Sequence, residues 1–377
     1  MNALKRWLPI AALIVLIAAL VRFHLIEEAE ITTLLAPAFP GAEISRVQSD
    51  VEAYKVVQEE RTLWVYPTHP TGWGGPMVVA PVVGPDFTIK NILVLKHRET
   101  PAFFDYVKVS GLLDGFQGKT HTAPLTLGQD TDAVSGATIT SRAITRGVRQ
   151  AMDHAAGERL GLEIPERKAP IHFGRNEALL LLLFALTLVA AKKRWRKMRL
   201  PIMAAAFLFL GPMTKSPVSI SQVAALAMGH APSVSEHLFW WILVAGSFLL
   251  VGFLGKNVWC GWLCPFGAIQ EGISRTGGLK LSPPAKLRPI LKMTAKVVAF
   301  GALLAAFLTG NAAKASVEPF ATLFGLKGEP WQWYLVSLAI TGAFLIPRFW
   351  CRFFCPAGVC FDCAAKAKRS CRKAMKK

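Results

Sequence analysis

Trp259-Cys260-Gly261-Trp262-Leu263-Cys264-Pro265-Phe266-Gly267 recurs later in the chain as Trp350-Cys351-Arg352-Phe353-Phe354-Cys355-Pro356-Ala357-Gly358. Each copy follows the end of an apolar stretch, so the pair reads as an internal repeat placed symmetrically in one helical bundle. No cysteine precedes residue 260. Four thiolates converging from the two copies, Cys260, Cys264, Cys351 and Cys355, suit an iron–sulfur cluster, which takes four Cys ligands. A pair of structural or redox-active dithiols would carry the same spacing. Cys355-x4-Cys360-x2-Cys363 also matches the plant-type ferredoxin spacing, with Cys371 as its fourth ligand. That set shares Cys355 with the repeat, so the two sets exclude each other.

The surrounding chain is that of a membrane protein. Its 377 residues are 53% hydrophobic and their mean hydropathy is +0.38, too apolar for an ordinary soluble composition. Roughly 20 apolar residues cross a hydrocarbon core about 30 Å thick, and somewhat fewer suffice with tilt or thinning. Six stretches meet that expectation: Trp7–Phe23, Ala178–Ala191, Leu200–Gly211, His237–Gly255, Val297–Thr309 and Trp333–Phe349. The net charge of +19 excludes nucleic acid as a partner by its distribution, because the basic residues collect in short runs beside apolar stretches. Such runs follow the positive-inside rule. Lys5 and Arg6 put the N-terminus inside, Lys192–Arg199 the second inner loop, and the Lys366–Lys377 run the C-terminus. Loops 212–236 and 310–332 carry few charges and fall outside. The first stretch reads as a retained anchor, since Val21-Arg22-Phe23-His24-Leu25 offers no small-x-small cleavage site.

The chain therefore divides into an N-terminal anchor (1–23), an outer domain (24–176), a five-helix membrane domain with both cysteine motifs (177–358) and a basic inner tail (359–377). The fold class expected is an α+β extracytoplasmic domain joined to an all-α bundle of about six membrane helices. In the outer domain Leu63-Trp64-Val65-Tyr66 and Ile89–Lys96 read as strands, and helical patterns occur near 43–57 and 139–156. The outer domain has no cysteine, so disulfides play no part in its stability.

The second pattern is preceded by Asp132-Ala133-Val134-Ser135-Gly136-Ala137-Thr138-Ile139-Thr140-Ser141. Hydroxyls at a helix entrance satisfy orphan backbone donors, and the N–H groups there attract phosphate. An ordinary capped helix accounts for the stretch. So does a phosphate-bearing ligand fixed to it.

This stretch resembles the Ser-Gly-Ala-Thr attachment motif of the covalent FMN-binding domain found in sodium-pumping NADH:quinone reductases, Rnf complexes and NosR-type proteins. Gly72-Trp73-Gly74-Gly75-Pro76-Met77, His97-Arg98-Glu99-Thr100-Pro101 and Gly115-Phe116-Gln117-Gly118-Lys119 resemble the same family, in its order. The resemblance implies FMN joined by a phosphoester to Thr138, attached by a separate flavin transferase. Asp132, Ser135, Gly136, Ala137 and Thr140 would surround the attachment point, and Gly74, Gly75, Glu99 and Thr100 the ring. Ala102-Phe103-Phe104 follows where the family continues into Gly, a departure that alters the ring pocket. The repeated Cys-x3-Cys-Pro motif resembles the membrane modules of NosR-type, PceC-type and NapH-type proteins. The order of anchor, FMN domain and two cysteine motifs is most similar to the PceC type.

His230 and His237 are seven apart, as on one face of a helix, and read as an interfacial pair because no partner pair for a haem is visible. Glu318-Pro319-Phe320 and Trp331/Trp333 are expected at the outer interface, where aromatics anchor helices, with Glu318 alternatively lining a quinone or proton site. No paired carboxylates, Ser-His-Asp arrangement or phosphate loop occurs, so no catalytic residue is assigned. The expectation is a bacterial inner-membrane electron carrier between a cytoplasmic donor or quinol and a periplasmic acceptor. Redox sensing and maturation of a secreted reductase are the alternatives.

Overall fold

The computed structural model describes residues 2–25, 30–59, 61–72, 75–99, 101–127, 138–163, 171, 173–235, 237–326 and 328–374. Helix α1 (Asn2–Leu25) leads into a short helix α2 (Ile31–Leu35) and a five-stranded antiparallel sheet, ordered β1-β2-β3-β4-β5. The strands are β1 (Glu43–Arg46), β2 (Tyr54–Gln58), β3 (Arg61–Val65), β4 (Val78–Val83) and β5 (Ile89–Lys96). Helices α3 (Pro101–Val109) and α4 (Thr138–Leu160) complete this part. It is an α+β domain.

β4 is a continuous apolar run because both faces of the sheet are covered. Val79 and Val83 pack with Ala143, Ile144, Val148, Ala151, Met152 and Ala155, the helical-period stripe of α4. Val78, Ala80 and Val82 face the other way, into a cluster with Ile31 and Leu35 of α2. The helix comes close to the sheet at Gly147, where a Cβ would stand 2.9 Å from Pro70 Cγ and 3.2 Å from Val79 Cβ. The Thr68 hydroxyl ties this approach by donating to the Gly147 carbonyl at 3.1 Å.

The helix expected near 43–57 is instead the β1–β2 hairpin, paired from Glu43↔Val57 to Arg46↔Tyr54. Tyr54 and Val56 are buried while Lys55 between them is exposed, so the period of two prevails over the looser three-to-four spacing. The strands expected at 63–66 and 89–96 are present, as is the helix expected over 139–156.

The remaining helices are α5 (Arg175–Lys192), α6 (Arg199–Leu208), α7 (Ile220–Ala227), α8 (Leu238–Leu254), α9 (Pro265–Thr276), α10 (Arg288–Thr309), α11 (Pro319–Gly325), α12 (Pro330–Leu345), α13 (Phe349–Phe353) and α14 (Pro356–Ala374). Each of the six apolar stretches forms a helix: α1, α5, α6, α8, α10 and α12. Among the described residues two are long and apolar enough to cross a membrane, Trp7–Leu25 and Arg288–Thr309, and α8 is a shorter apolar helix. α1 lies along α10, α5 along α8, and α14 against α8 and α10.

Two short helices, α7 and α11, turn back into the bundle from loops expected to lie outside. Glu318, at the N-cap of α11, is 1% exposed and Phe320 is 2% exposed. This corrects the interfacial placement of Glu318-Pro319-Phe320: Phe320 packs with Phe266, Trp350 and Cys355 in one apolar cluster. Trp331 and Trp333 do remain exposed.

Gly147→Leu forces side-chain atoms into the α4–β4 contact. Overpacking of this kind costs about 1–3 kcal/mol, and the thermal unfolding midpoint of the detergent-extracted protein should fall accordingly.

Candidate functional site

The two Cys-x3-Cys-Pro copies meet at one end of the bundle. In the first, the chain after α8 makes a wide turn over Trp259–Leu263, and Pro265 then opens α9. In the second, α13 is followed by Cys355, and Pro356 opens α14. The prolines thus start helices, at the position where a missing N–H is no loss. The backbone N–H groups of Phe266 and Gly267 reach the Cys264 sulfur. Cys355 lies within electrostatic reach of Cys351, Cys260 and Cys264. The Cys260 sulfur would stand 3.8 Å from a Cβ at Gly358, in the other copy.

The four sulfurs of the repeat are therefore brought together. Among the described residues no three His, Cys, Asp or Glu side chains close on a single metal-sized point. A four-iron cluster is wider than one ion, so its ligands would stand further apart, and four buried or half-buried sulfurs, with backbone donors at Cys264, would suit one. The alternative set is not brought together. Cys360, Cys363 and Cys371 share α14, with Cys360 and Cys371 about 16 Å apart along the axis at 1.5 Å per residue. Cys363 and Cys371 are exposed.

Each copy braces the other. Arg348, three residues before Cys351, donates to the Cys260 carbonyl at 3.0 Å and the Gly261 carbonyl at 3.2 Å, and pairs with Glu271 in α9. Asn257, three residues before Cys260, donates to Asp362 in α14 at 2.9 Å and accepts the Cys260 N–H at 3.1 Å. Glu271 and Asp362 occupy the same place in their copies, seven residues after the second cysteine. Gln270 accepts the Trp350 N–H at 3.0 Å and turns its Nε2 to the Cys351 sulfur at 3.6 Å. Its counterpart Phe361 stacks on Trp259. Burial alone would push the Glu271 carboxyl up. Hydrogen bonds from Arg199 and Arg275 and the charge of Arg348 overcome that and hold it down, at about 2. The first cysteine turn is thus clamped by a guanidinium–carboxylate network that stays ionised at every physiological pH.

At the other end of the molecule, Thr138 opens α4. Asp132, Ser135, Gly136, Ala137, Gly74 and Thr100 lie outside the described residues. Thr140 is buried and donates to Glu99 Oε2 at 3.0 Å, which joins the His97–Pro101 stretch to the first turn of α4. That hydroxyl is committed to the Glu99 carboxylate. Gly72 donates its N–H to the Gly75 carbonyl at 2.9 Å, closing a tight turn beside Glu99. His97 stacks on Phe104 at 3.7 Å, so the departure after Pro101 supplies an aromatic floor under that imidazole.

This turn docks on the helices. Arg98 meets His230 at 2.9 Å and lies over the Phe23 ring of α1, and a Cβ at Gly75 would stand 2.8 Å from His230 Nδ1. Arg142 and Arg146 of α4 approach His237. His230 lies in the loop after α7 and His237 at the N-cap of α8, so they do not share a helical face as expected.

Residues 72–153 match the FMN-binding domain, and residues 236–284 and 333–373 match the 4Fe-4S binding domain. The chain carries both domains, and NosR and NirI are its homologues. It is 33% identical to Protein NirI of Paracoccus denitrificans over 198 residues, 48% of this chain and 28% of NirI. It is 36% identical to Regulatory protein NosR of Stutzerimonas stutzeri over 132 residues, 31% of this chain and 17% of NosR. With one component of the ion-translocating oxidoreductase complex of Salmonella typhi it shares 35% over 113 residues, 27% of this chain and 53% of that component. The chain thus spans under a third of the NirI and NosR lengths. No solved structure is significantly similar to it.

Sequence reasoning missed Asn257, Gln270, Glu271, Arg348 and Asp362. Comparing the two copies beyond the cysteines carries their signal, since Asn257/Arg348 and Glu271/Asp362 align.

Arg348→Met strips Glu271 of one partner and the first cysteine turn of its clamp. A fully buried pair broken in this way costs ~3–5 kcal/mol; with Arg348 18% exposed the loss should be on the order of 2–3 kcal/mol. Arg348→Lys keeps the charge and should recover part of it. Because the Glu271 carboxyl is held at about 2 against an ordinary 4.5, its contribution is complete above about pH 4.5 and is lost as pH falls toward 2. Thermal unfolding of the wild type and both variants at pH 7 and pH 3 checks these expectations, the wild type losing part of its advantage over Arg348→Met at the lower pH.

Proposed function

We propose that the chain is a membrane electron-transfer flavoprotein of the bacterial inner membrane. It exchanges electrons between FMN on Thr138, on the periplasmic side, and an iron–sulfur cluster held by Cys260, Cys264, Cys351 and Cys355 near the cytoplasmic face. The FMN-binding and 4Fe-4S domains support an electron-transfer role, as do relatives that include a component of an ion-translocating oxidoreductase complex. FMN supplies one- and two-electron chemistry when bound. The chain's own residues position it and protect the cluster from water.

In this reading α1, α5, α6, α8, α10 and α12 all cross the bilayer, both termini are cytoplasmic, and Arg348 and Glu271 belong to the inner end. The observation that carries the reading is the route between the ends. A bilayer core about 30 Å thick is too wide for one efficient electron step, so a quinone or a further cofactor has to bridge it beside α7 and α11, the short helices that turn into the bundle. Ser221 and Gln222 of α7 line a cleft with Ile139, next to Thr138. The following contact is the Ile220 N–H, which donates to Glu318 Oε1 at 2.7 Å. Glu318 is in turn within electrostatic reach of Cys264 and Cys355. A quinol or cytoplasmic protein supplies or receives electrons at one end and a periplasmic redox protein at the other. A flavin transferase attaches the FMN.

The second reading, redox sensing, rests on the naming of NosR as a regulatory protein. Vesicles separate the two. The carrier passes electrons between a quinol or inner reductant and an outer acceptor with steady turnover; a sensor takes up its electrons once and stops.

Thr138→Val should abolish the ultraviolet-excited flavin fluorescence of the denatured band in a gel, whereas Thr140→Val should leave it. Cys260→Ser combined with Cys351→Ser should reduce iron and acid-labile sulfide to background after anaerobic purification. Cys363→Ser and Cys371→Ser should retain both.

A further inference from the structure

The two cysteine motifs are built alike, but the residues six places after their second cysteines differ. In the first copy that residue is Gln270 of α9, and in the second it is Phe361 of α14. Both are fully buried, at 0% exposure. Both also reach across to the tryptophan that precedes the other copy's first cysteine. Phe361 meets Trp259 by stacking, with ring centroids 5.7 Å apart, and brings no polar group. Gln270 meets Trp350 through its amide, whose Oε1 accepts the Trp350 N–H at 3.0 Å.

That bond decides which way the amide faces. A backbone N–H only donates, so the amide oxygen has to stand against Trp350, and a flipped amide would set donor against donor. Nε2 is thereby directed at the Cys351 sulfur, 3.6 Å away. The sulfur is the acceptor in this contact, which is the role of a thiolate ligand. Because Gln270 is closed to water, no solvent competes for the N–H, and such surroundings strengthen the bond electrostatically. Helix α9 thus carries one ligand, Cys264 at its N-cap, and a side-chain donor to a ligand of the other copy.

We propose that Gln270 is a positioning residue that hydrogen-bonds the Cys351 ligand of the iron–sulfur cluster and raises the cluster's reduction potential. A cluster gains one negative charge on reduction and spreads it over its sulfurs, so an N–H aimed at one of them favours the reduced form. Phe361 offers Cys260 no such donor from the matching position of α14, so at this position the duplicated motif makes an unsymmetrical site. The inference rests on the assignment of the four sulfurs to a cluster, which iron and sulfide content reads separately.

The test uses the full-length protein, purified anaerobically, with iron and acid-labile sulfide measured in every sample. Gln270→Met keeps the length of the side chain and removes the donor. The equilibrium constant for reducing its cluster, from a redox titration followed by electron paramagnetic resonance, should fall about tenfold, which is ~59 mV for one electron. Gln332→Met, which exchanges an amide in the N-terminal cap of α12, should keep the wild-type potential. A second reading needs no variant. Protein labelled with nitrogen-15 in its glutamine side-chain amides should show a hyperfine coupling from that nitrogen to the reduced cluster. The coupling should vanish in Gln270→Met, whereas a side chain that only braced the backbone would give none. A wild-type potential in iron-replete Gln270→Met would overturn the proposal, as would labelled wild type without the coupling. If Gln270→Met loses its cluster, the labelled wild type alone decides. Wild-type protein without iron and sulfide would instead refute the cluster, and with it the reading on which the proposal rests.

Discussion

Reciprocal bracing between two copies of one sequence motif holds the cysteine end of this protein together. Bringing four sulfurs into one apolar site is costly unless their backbone turns are fixed, because thiolates crowded together repel and buried polar groups need partners. Arg348 of the second copy fixes the carbonyls of the first, and Asn257 of the first reaches Asp362 of the second. Glu271 completes the clamp with Arg199, Arg275 and Arg348. Each copy thus supplies hydrogen bonds that the other's turn uses.

The same duplication organises the space between the two ends. In each copy a short helix turning inward (α7 or α11) precedes an apolar helix (α8 or α12), then a cysteine motif, then an amphipathic helix (α9 or α14). The inward helices bring polar groups, Ser219, Ser221, Gln222 and Glu318, into the apolar bundle. Such groups are expensive there. Here they lie between the FMN-binding domain and the sulfurs. The domain is pinned over them by Arg98 on His230 and by the close approach of Gly75.

Much of this is legible in the sequence. The apolar stretches mark α1, α5, α6, α8, α10 and α12, the β-branched residues of 89–96 bounded by Gly, Pro and Asp mark its strand, and the repeat marks the four sulfurs that converge. The hairpin at 43–58 is hidden because Ile44, Val47, Val51, Tyr54 and Val57 satisfy a helical spacing locally, and only pairing with β3 reveals the period of two. α7 and α11 escape because helices of eight and seven residues carry too little periodicity, and their burial is a tertiary fact. Arg348 escapes for a different reason. In a chain read by the positive-inside rule it is one more inner arginine, and its role lies in a partner 77 residues earlier, Glu271. The docking of Arg98 on His230 is likewise a contact across 132 residues with no local signature.

The central claim is that flavin and cluster belong to one electron path, and a single-sided reduction tests it most directly. The protein is embedded in vesicles with its FMN-binding domain outward, and a membrane-impermeant reductant is added outside while flavin and iron–sulfur absorbance are followed together. The account predicts that the flavin bleaches first, that the iron–sulfur band follows, and that in Thr138→Val the iron–sulfur band persists. Equal bleaching of the cluster without the flavin, or a cluster that stays oxidised beside fully reduced flavin, would contradict it.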